Sequence, residues 1–357
     1  MTPSKKVVLV EDSPVALEIL QRLLNSSPEV DVVGVARDGV EALDVITRTQ
    51  PDVICTDLLM ENMDGLELTK RVMADDPRPI LVISNFVQKS DVDNVFRLLQ
   101  AGASDVFPKP STDSPTDYEK LKNALIAKIK VLSSMKVTAK RQRQPLSGAT
   151  KPMTSGSLSG NQPLMTNVSS RVKVITIGAS SGGLQSIQKI VGQLPGNFPL
   201  PIICTVHVST GVLSGLVNWL SSECPLKVKI AEVGESPAPG TVYFAPEKSN
   251  LELDNRGKFI YTPCPDTDKH CPCISVTFQS IAKFYGRATA GVLLTGIGRD
   301  GAEGLQAIVQ AGGITLAQDD KGGAYGMVKE AMNLNAVQQT LAIDKIGPFL
   351  LKTVSGS

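Results

Sequence analysis

At 357 residues the chain is longer than one ordinary domain and shorter than three, since domains run to roughly 100–200 residues. Its 36 Lys+Arg nearly cancel its 35 Asp+Glu, so no global field marks it for nucleic acid or an anionic membrane surface. A hydrophobic fraction of 42% is ample for two cores, and no apolar run approaches the roughly 18 residues of a membrane-spanning helix.

The N-terminus passes from Lys5-Lys6 through a short apolar run into Glu11-Asp12, which reads as a strand and not as an export signal. The six cysteines lie at irregular spacings in a long chain, and reduced thiols in a cytoplasmic protein are expected. From Val7 to about Leu132, strand-like runs at Val7–Val10, Val30–Val35, Val53–Cys55, Ile80–Ile83 and Val106–Phe107 alternate with helical spacing. Ala16, Ile19, Leu20, Leu23 and Leu24 show that spacing, as do Val92, Val95, Phe96 and Leu99. Such alternation predicts a doubly wound parallel sheet over residues 1–132. Ser13 and Pro14 supply the start signal of its first helix.

Residues 133–171 are rich in Ser, Thr, Gly, Pro and Gln and carry a basic cluster, Lys136, Lys140, Arg141 and Arg143. They read as a flexible linker. From Val172 the alternation resumes, with strands at Val174–Ile177, Ile202–Val206 and Gly291–Leu294 and helical spacing at Leu184, Ile187, Ile190 and Val191. A hairpin is expected about Asp254–Gly257. Residues 172–350 therefore read as a second, mostly parallel α/β domain with a small antiparallel appendage.

In the first domain Glu11 and Asp12 end the first strand, Asp57 the third and Ser84 the fourth, and Lys109 follows the fifth. In a parallel sheet all these positions share the carboxyl edge, where open α/β sheets carry their sites. Converging carboxylates repel one another unless a cation lies between them, and an all-oxygen set of this kind suits Mg²⁺. Lys109 and Ser84 are the groups expected to read a phosphorylated Asp57.

With VEDSP, TDLLMENMDG, VISN and FPKP, this half resembles the receiver domain of two-component response regulators, a flavodoxin-like fold. The resemblance implies that a histidine kinase donates a phosphoryl group to Asp57, that Glu11, Asp12 and Asp57 hold Mg²⁺, and that Ser84 and Lys109 contact the phosphoryl group. Two positions depart from the pattern: Glu61 follows Met60 where proline is usual, and Val106 stands at the aromatic switch position with Phe107 one place late.

The second domain opens on VKVITIGASSGG, a strand that stops in a glycine-rich turn with Ser180 directly after it. His207 follows the next strand, and Asp300 lies just beyond GVLLTG. Parallel strands would deliver all three to one edge, where His207 takes the proton of Ser180 and Asp300 orients the imidazole. The Ser181 N–H and an amide of the Gly296–Gly298 loop are candidates for an oxyanion site. A dinucleotide site would want glycine at Ser180, a phosphate loop would end in Gly-Lys-Ser/Thr, and an α/β-hydrolase would place its acid before its histidine. None of these patterns is met.

GASSGG, VHV, LLTGIGRDGAEG and AQDDKGGAYGM resemble the catalytic domain of the chemotaxis protein-glutamate methylesterases, a Rossmann-like α/β domain. The resemblance implies hydrolysis of glutamate methyl esters on methylated chemoreceptors, with receptor glutamines as further substrates for deamidation. It implies a chemotaxis histidine kinase as phosphodonor and no cofactor for the ester chemistry, and the protein is expected to act as a monomer. Ser180, His207 and Asp300 match the catalytic positions, and Ile297 stands where the family contributes a backbone amide from methionine. His270, in CPDTDKHCPC, matches an active-site histidine and is expected to line the substrate cleft; Cys273 and Ser275 depart from the family's Ser and Asp, and Val328 stands for a proline. Zinc held by Cys264, His270, Cys271 and Cys273 is disfavoured, because Cys-x-Cys is tighter than usual structural spacing. The unphosphorylated receiver is expected to cover the cleft until Asp57 is phosphorylated.

Overall fold

The protein was analysed as a computed structural model, which describes residues 3–84, 89–110, 115–133, 137, 172–180, 183–208, 211–265, 270–296, 298–319 and 326–355. The first half carries β1 (Lys5–Val10), α1 (Pro14–Asn25), β2 (Val30–Ala36), α2 (Gly39–Thr49), β3 (Val53–Thr56), α3 (Gly65–Asp75), β4 (Ile80–Ser84), α4 (Lys89–Ala101), β5 (Asp105–Pro108) and α5 (Pro115–Leu132). Its strands form a five-stranded sheet in the order β2-β1-β3-β4-β5, with every pairing parallel. The Ser13-Pro14 start signal acts as expected: Ser13 accepts from Ala16 N at 3.4 Å with Pro14 in the first turn. Asp64 likewise caps α3, accepting from Glu67 N at 2.8 Å.

Strand periodicity sends alternate residues to opposite faces. Val8, Val10, Ile54, Val82 and Val106 pack with Leu68, Val95 and Leu98 on one side, while Val7, Leu9, Val53, Leu81, Ile83 and Phe107 pack with Leu20, Leu125 and Ile129 on the other. The one-residue offset at the switch position has a structural consequence here. Phe107 is buried beside α1 and α5, and the face turned toward α4 carries Val106 instead.

The second half continues with β6 (Val174–Ala179), α6 (Gly183–Val191), β7 (Ile202–Val206), α7 (Leu213–Glu223), β8 (Lys227–Ile230), β9 (Thr241–Phe244), β10 (Asn250–Leu253), β11 (Phe259–Thr262), α8 (Ile274–Tyr285), β12 (Thr289–Leu293), α9 (Ala302–Gln310), β13 (Ile314–Gln318), α10 (Gly326–Asn333), β14 (Gln339–Leu341) and α11 (Ile343–Ser355). A seven-stranded sheet runs β14-β13-β12-β6-β7-β9-β8, again parallel throughout. The antiparallel pair β10–β11 forms the expected hairpin, closed by Gly257 N donating to Asp254 O at 3.0 Å. Strand order reverses at β6, which lies between β7 and β12, so the crevice of this sheet opens beyond the carboxyl ends of those three strands. On one side Leu184, Ile187, Leu216 and Ile346 cover Ile175, Ile177 and Cys204; on the other, Ile274, Phe278, Leu305 and Met327 cover Leu293.

The two halves touch through α4 and α7. Gln100 Nε2 donates to Glu223 Oε2 at 3.4 Å, and Gln185 Nε2 donates to Ala103 O. Among the described residues no helix is long and apolar enough to cross a membrane.

One expectation fails. Cys264 and Cys271 are joined as a disulfide, their Cα atoms 5.9 Å apart, so the cysteines are not all reduced thiols. The chain leaves β11 at Cys264 and returns toward the start of α8 at Cys271, and that return brings the residues within bonding geometry. Cys55, Cys204, Cys224 and Cys273 remain free.

Candidate functional sites

At the carboxyl edge of the first sheet, Lys109 Nζ donates to Asp57 Oδ2 at 2.6 Å and to Glu11 Oε1 at 2.9 Å. Asp57 and Glu11 are buried and Asp12 is exposed, and one ligand atom of each lies within 4.8 Å of the others. Burial pushes the Asp57 carboxyl upward despite the Lys109 hydrogen bond and charge, with the Asp12 charge adding to the rise. Glu11 is raised in the same way, by burial and then by the charge of Asp57. Burial disfavours the charge of Lys109, but the two carboxylates outweigh it and hold the ammonium on. Two raised carboxyls beside a third are short of positive charge, as residues arranged around a divalent cation would be.

Ser84 is buried at the end of β4, where its carbonyl accepts from Lys109 N at 3.2 Å. Asp57 itself is held from behind. A Cβ on Gly65 would lie 2.2 Å from Asp57 O and 3.3 Å from Leu58 O, so the loop over this carboxylate closes only on glycine. Gly65→Ala is expected to lower stability by about 1–3 kcal/mol, read as a lowered urea midpoint; an unchanged midpoint would show that the loop can shift.

The second cluster lies at the crevice of the seven-stranded sheet. Ser180 follows β6, His207 follows β7, and Asp300 sits in the loop after β12. His207 Nδ1 is 3.3 Å from Ser180 Oγ, and His207 Nε2 is 2.9 Å from Asp300 Oδ2. Residues 27 and 93 positions apart in sequence meet here because adjacent parallel strands deliver them to one edge. The turn is anchored by Ser180 N donating to Thr295 O at 3.1 Å and Gly183 N donating to Ser180 O at 2.8 Å. A Cβ on Gly296 would stand 2.7 Å from Ser180 Cβ, so that loop approaches the serine closely only without a side chain.

Asp300 is the most heavily solvated carboxylate of the site, and its solvent is protein. Its Oδ2 accepts from Ile274 N at 2.7 Å as well as from His207, and its Oδ1 accepts from Ser275 N at 2.9 Å, Gly301 N at 2.8 Å and the Cys273 thiol at 3.1 Å. Burial alone would raise the Asp300 carboxyl, but the His207 hydrogen bond and charge together with these amides hold it well below the usual carboxylate range. A carboxylate fixed as an anion can only accept, so Nε2 carries the proton and Nδ1 presents a lone pair to the Ser180 hydroxyl. The arrangement can therefore move a proton off Ser180 while charge develops on His207 next to a fixed anion.

His270 stacks on His207, with ring centroids 4.2 Å apart and planes 11° off parallel. Ser181 and Ile297 lie outside the described residues. Cys273, whose thiol donates to Asp300 at 3.1 Å, and Ser275, whose hydroxyl accepts from Gly301 N at 2.8 Å, join the site beyond the residues expected from sequence; their place in CPCIS, just before an apolar helix, is the signal that marks them.

Two family models match the chain: the one described as CheB methylesterase over residues 175–350, and the one described as response regulator receiver domain over residues 7–118. A protein of Syntrophus aciditrophicus named protein-glutamate methylesterase/protein-glutamine glutaminase 1 is 37% identical over 97% of this chain and 97% of its own length. A protein of Nitrosospira multiformis with the same name, unnumbered, is 36% identical over 98% of this chain and 97% of its own. The solved catalytic domain of Thermotoga maritima CheB methylesterase is 34% identical, covers 51% of this chain and 99% of that one, and superposes with a TM-score of 0.49.

Proposed function

Since the chain belongs to the protein-glutamate methylesterase/protein-glutamine glutaminase family, with a response-regulator receiver ahead of its esterase domain, we propose that it hydrolyses glutamate methyl esters on chemoreceptors when Asp57 is phosphorylated. The observation that carries this reading is the Ser180–His207–Asp300 relay, at 3.3 Å and 2.9 Å between its members. Ser180 Oγ attacks the ester carbonyl as His207 Nδ1 takes its proton. The tetrahedral intermediate collapses with the C–O bond to methoxide breaking, and His207 returns the proton so that methanol leaves. Water then attacks the acyl-enzyme, giving its proton to His207, and Ser180 departs with that proton to leave a glutamate. Asp300 stays ionised and stabilises the imidazolium at both stages. A glutamine side chain would follow the same course with ammonia as the leaving group, which is the second activity in the relatives' names.

In the receiver, Glu11, Asp12 and Asp57 fit Mg²⁺, which when bound would neutralise the crowded carboxylates and the incoming phosphoryl oxygens. Asp57 is the phosphoryl acceptor from a histidine kinase, and Lys109 and Ser84 contact the phosphoryl group once it is attached. The contact of Ala103 with Gln185 lies close to the crevice, because Gln185 belongs to the first turn of α6, directly after the Ser180 turn. In this reading the docked receiver limits access to Ser180, and phosphorylation of Asp57 shifts the population toward an open arrangement.

The test uses the full chain with membranes carrying methyl-labelled receptors, with and without a small-molecule phosphodonor. Labelled methanol should be released, and faster with phosphodonor. Asp57→Asn should lose that stimulation, and a stimulation that survives the substitution would place the phosphoryl acceptor elsewhere. Release no faster than from membranes alone would reject the esterase reading.

A further inference from the structure

We propose that His270 is a positioning residue for His207, and that the Cys264–Cys271 disulfide, made and broken reversibly, governs whether it is in place. The proposal rests on the esterase reading above and adds a redox input to it. Three observations meet at this point. The imidazole rings of His207 and His270 stack at 4.2 Å with 11° between their planes. Cys271, the next residue in the chain, is bonded to Cys264, two residues beyond the end of β11, and β11 is itself paired with β10. Cys271 and Pro272 also line the small cavity beside the site, together with Val206, Val208 and Glu247.

Two in-plane hydrogen bonds, from Nδ1 to Ser180 and from Nε2 to Asp300, fix the tautomer of His207 but leave its ring able to rock about the axis through the two nitrogens. A second ring laid on its face removes that motion. It also places a π surface against the imidazolium that forms in each proton transfer, an attractive contact for a cation. His270 can act in this way only if its backbone is held, and the covalent link from its neighbour to the chain just past a paired strand holds it.

Cys271 is an exposed residue, and the exchange proposed for its bond runs by attack of a thiolate on a disulfide sulfur. The thiolate of a low-molecular-weight thiol attacks the Cys271 sulfur, the S–S bond breaks, and the Cys264 thiolate leaves and takes up a proton. A second thiol then attacks the mixed disulfide and frees Cys271. In balance, two small thiols become one disulfide and the protein gains two hydrogens; a small disulfide such as oxidised glutathione runs the sequence backward. In a reducing compartment a bond of this kind is a sensor and not a scaffold.

The reactivity of Ser180 toward a fluorophosphonate reads the His207 relay without any receptor. The full chain is equilibrated in oxidised or reduced glutathione, its disulfide state is read by intact mass, and the labelling rate is measured. The oxidised wild type should label at least about tenfold faster than the reduced form, since a 1 Å misplacement of a catalytic group can cost about 10²-fold. Cys264→Ser and His270→Ala should both label slowly and be indifferent to the redox state. His270→Phe, which keeps a flat ring on His207, should recover most of the oxidised rate; a merely structural role for the histidine would not give that rescue. Equal rates for oxidised and reduced wild type, failure of the bond to form in oxidised glutathione, or a His270→Phe protein no faster than His270→Ala would each overturn the proposal. Labelling of Ser180→Ala at the wild-type rate would instead reject the nucleophile itself, and with it the reading on which the proposal rests.

Discussion

Ser180→Ala should lower methanol release from methylated receptors by about 10⁴–10⁶-fold, the range found when the nucleophile of a serine relay is removed. The size follows from the geometry. The described site offers His207 one hydroxyl, at 3.3 Å from Nδ1, and without it no acyl-enzyme forms. Whatever rate remains is direct attack by water, aided by His207 and by the binding of the ester. The fold should not change, since truncating this hydroxyl removes one contact from a histidine that keeps its bond to Asp300, and stability should stay within about 1 kcal/mol of wild type. Thermal melting of the same preparation separates the two effects. A loss below tenfold with an unchanged melting temperature would mean that another group attacks the ester.

Asp300→Asn should cost about 10⁴-fold in kcat, a loss caused by the wrong tautomer of an otherwise intact site. Oδ1 of Asp300 accepts from two backbone amides, Ser275 N and Gly301 N, and from the Cys273 thiol, whereas Oδ2 accepts from Ile274 N and His207. An asparagine NH₂ turned toward the Oδ1 side would face two fixed N–H donors, so it turns toward Oδ2 and His207. Nε2 must then accept, Nδ1 carries the proton, and the Ser180 hydroxyl faces a donor. The depressed pKa of Asp300 gives a second readout. Wild-type activity should show no dependence on Asp300 titration above the ordinary carboxyl range, and the asparagine protein should stay slow at every pH up to 9 or so, since raising the pH does not exchange the tautomers' preference. Recovery of the rate at high pH would mean that a titrating group, and not the tautomer of His207, limits the asparagine protein.

Much of this molecule is legible from short stretches of its chain. The strand runs, the Ser13-Pro14 start of α1, the hairpin at Asp254–Gly257 and the parallel sheets follow from rules that span a few residues: alternation, capping and turn chemistry. The short strands β8 and β14 escape the same rules because runs such as KVKI and QTL hold too few residues to show a period. They are strands because they lie at the two edges of the seven-stranded sheet, where β9 and β13 supply backbone partners. The departure at Val106 is visible in sequence, but the packing of Phe107 with α1 and α5 on the opposite face is a matter of sheet geometry.

The glycine-rich turn after β6 and the ends of β7 and β12 determine by themselves that a serine, a histidine and an aspartate emerge at one edge, since parallel strands share a direction and their ends are marked by residue type. Which nitrogen of His207 faces which partner, how many amides hold Asp300, and that His270 lies flat on His207 were decided only by the tertiary structure. The same holds for the cysteines. Six thiols with no regular spacing carry no pairing rule, and the bond between Cys264 and Cys271 exists because β11 and α8 return the chain to within 5.9 Å. Local patterns encode where a chain turns and which face it buries, because those are properties of neighbours in sequence. Contacts between distant residues depend on how whole elements pack, and no short stretch contains that information.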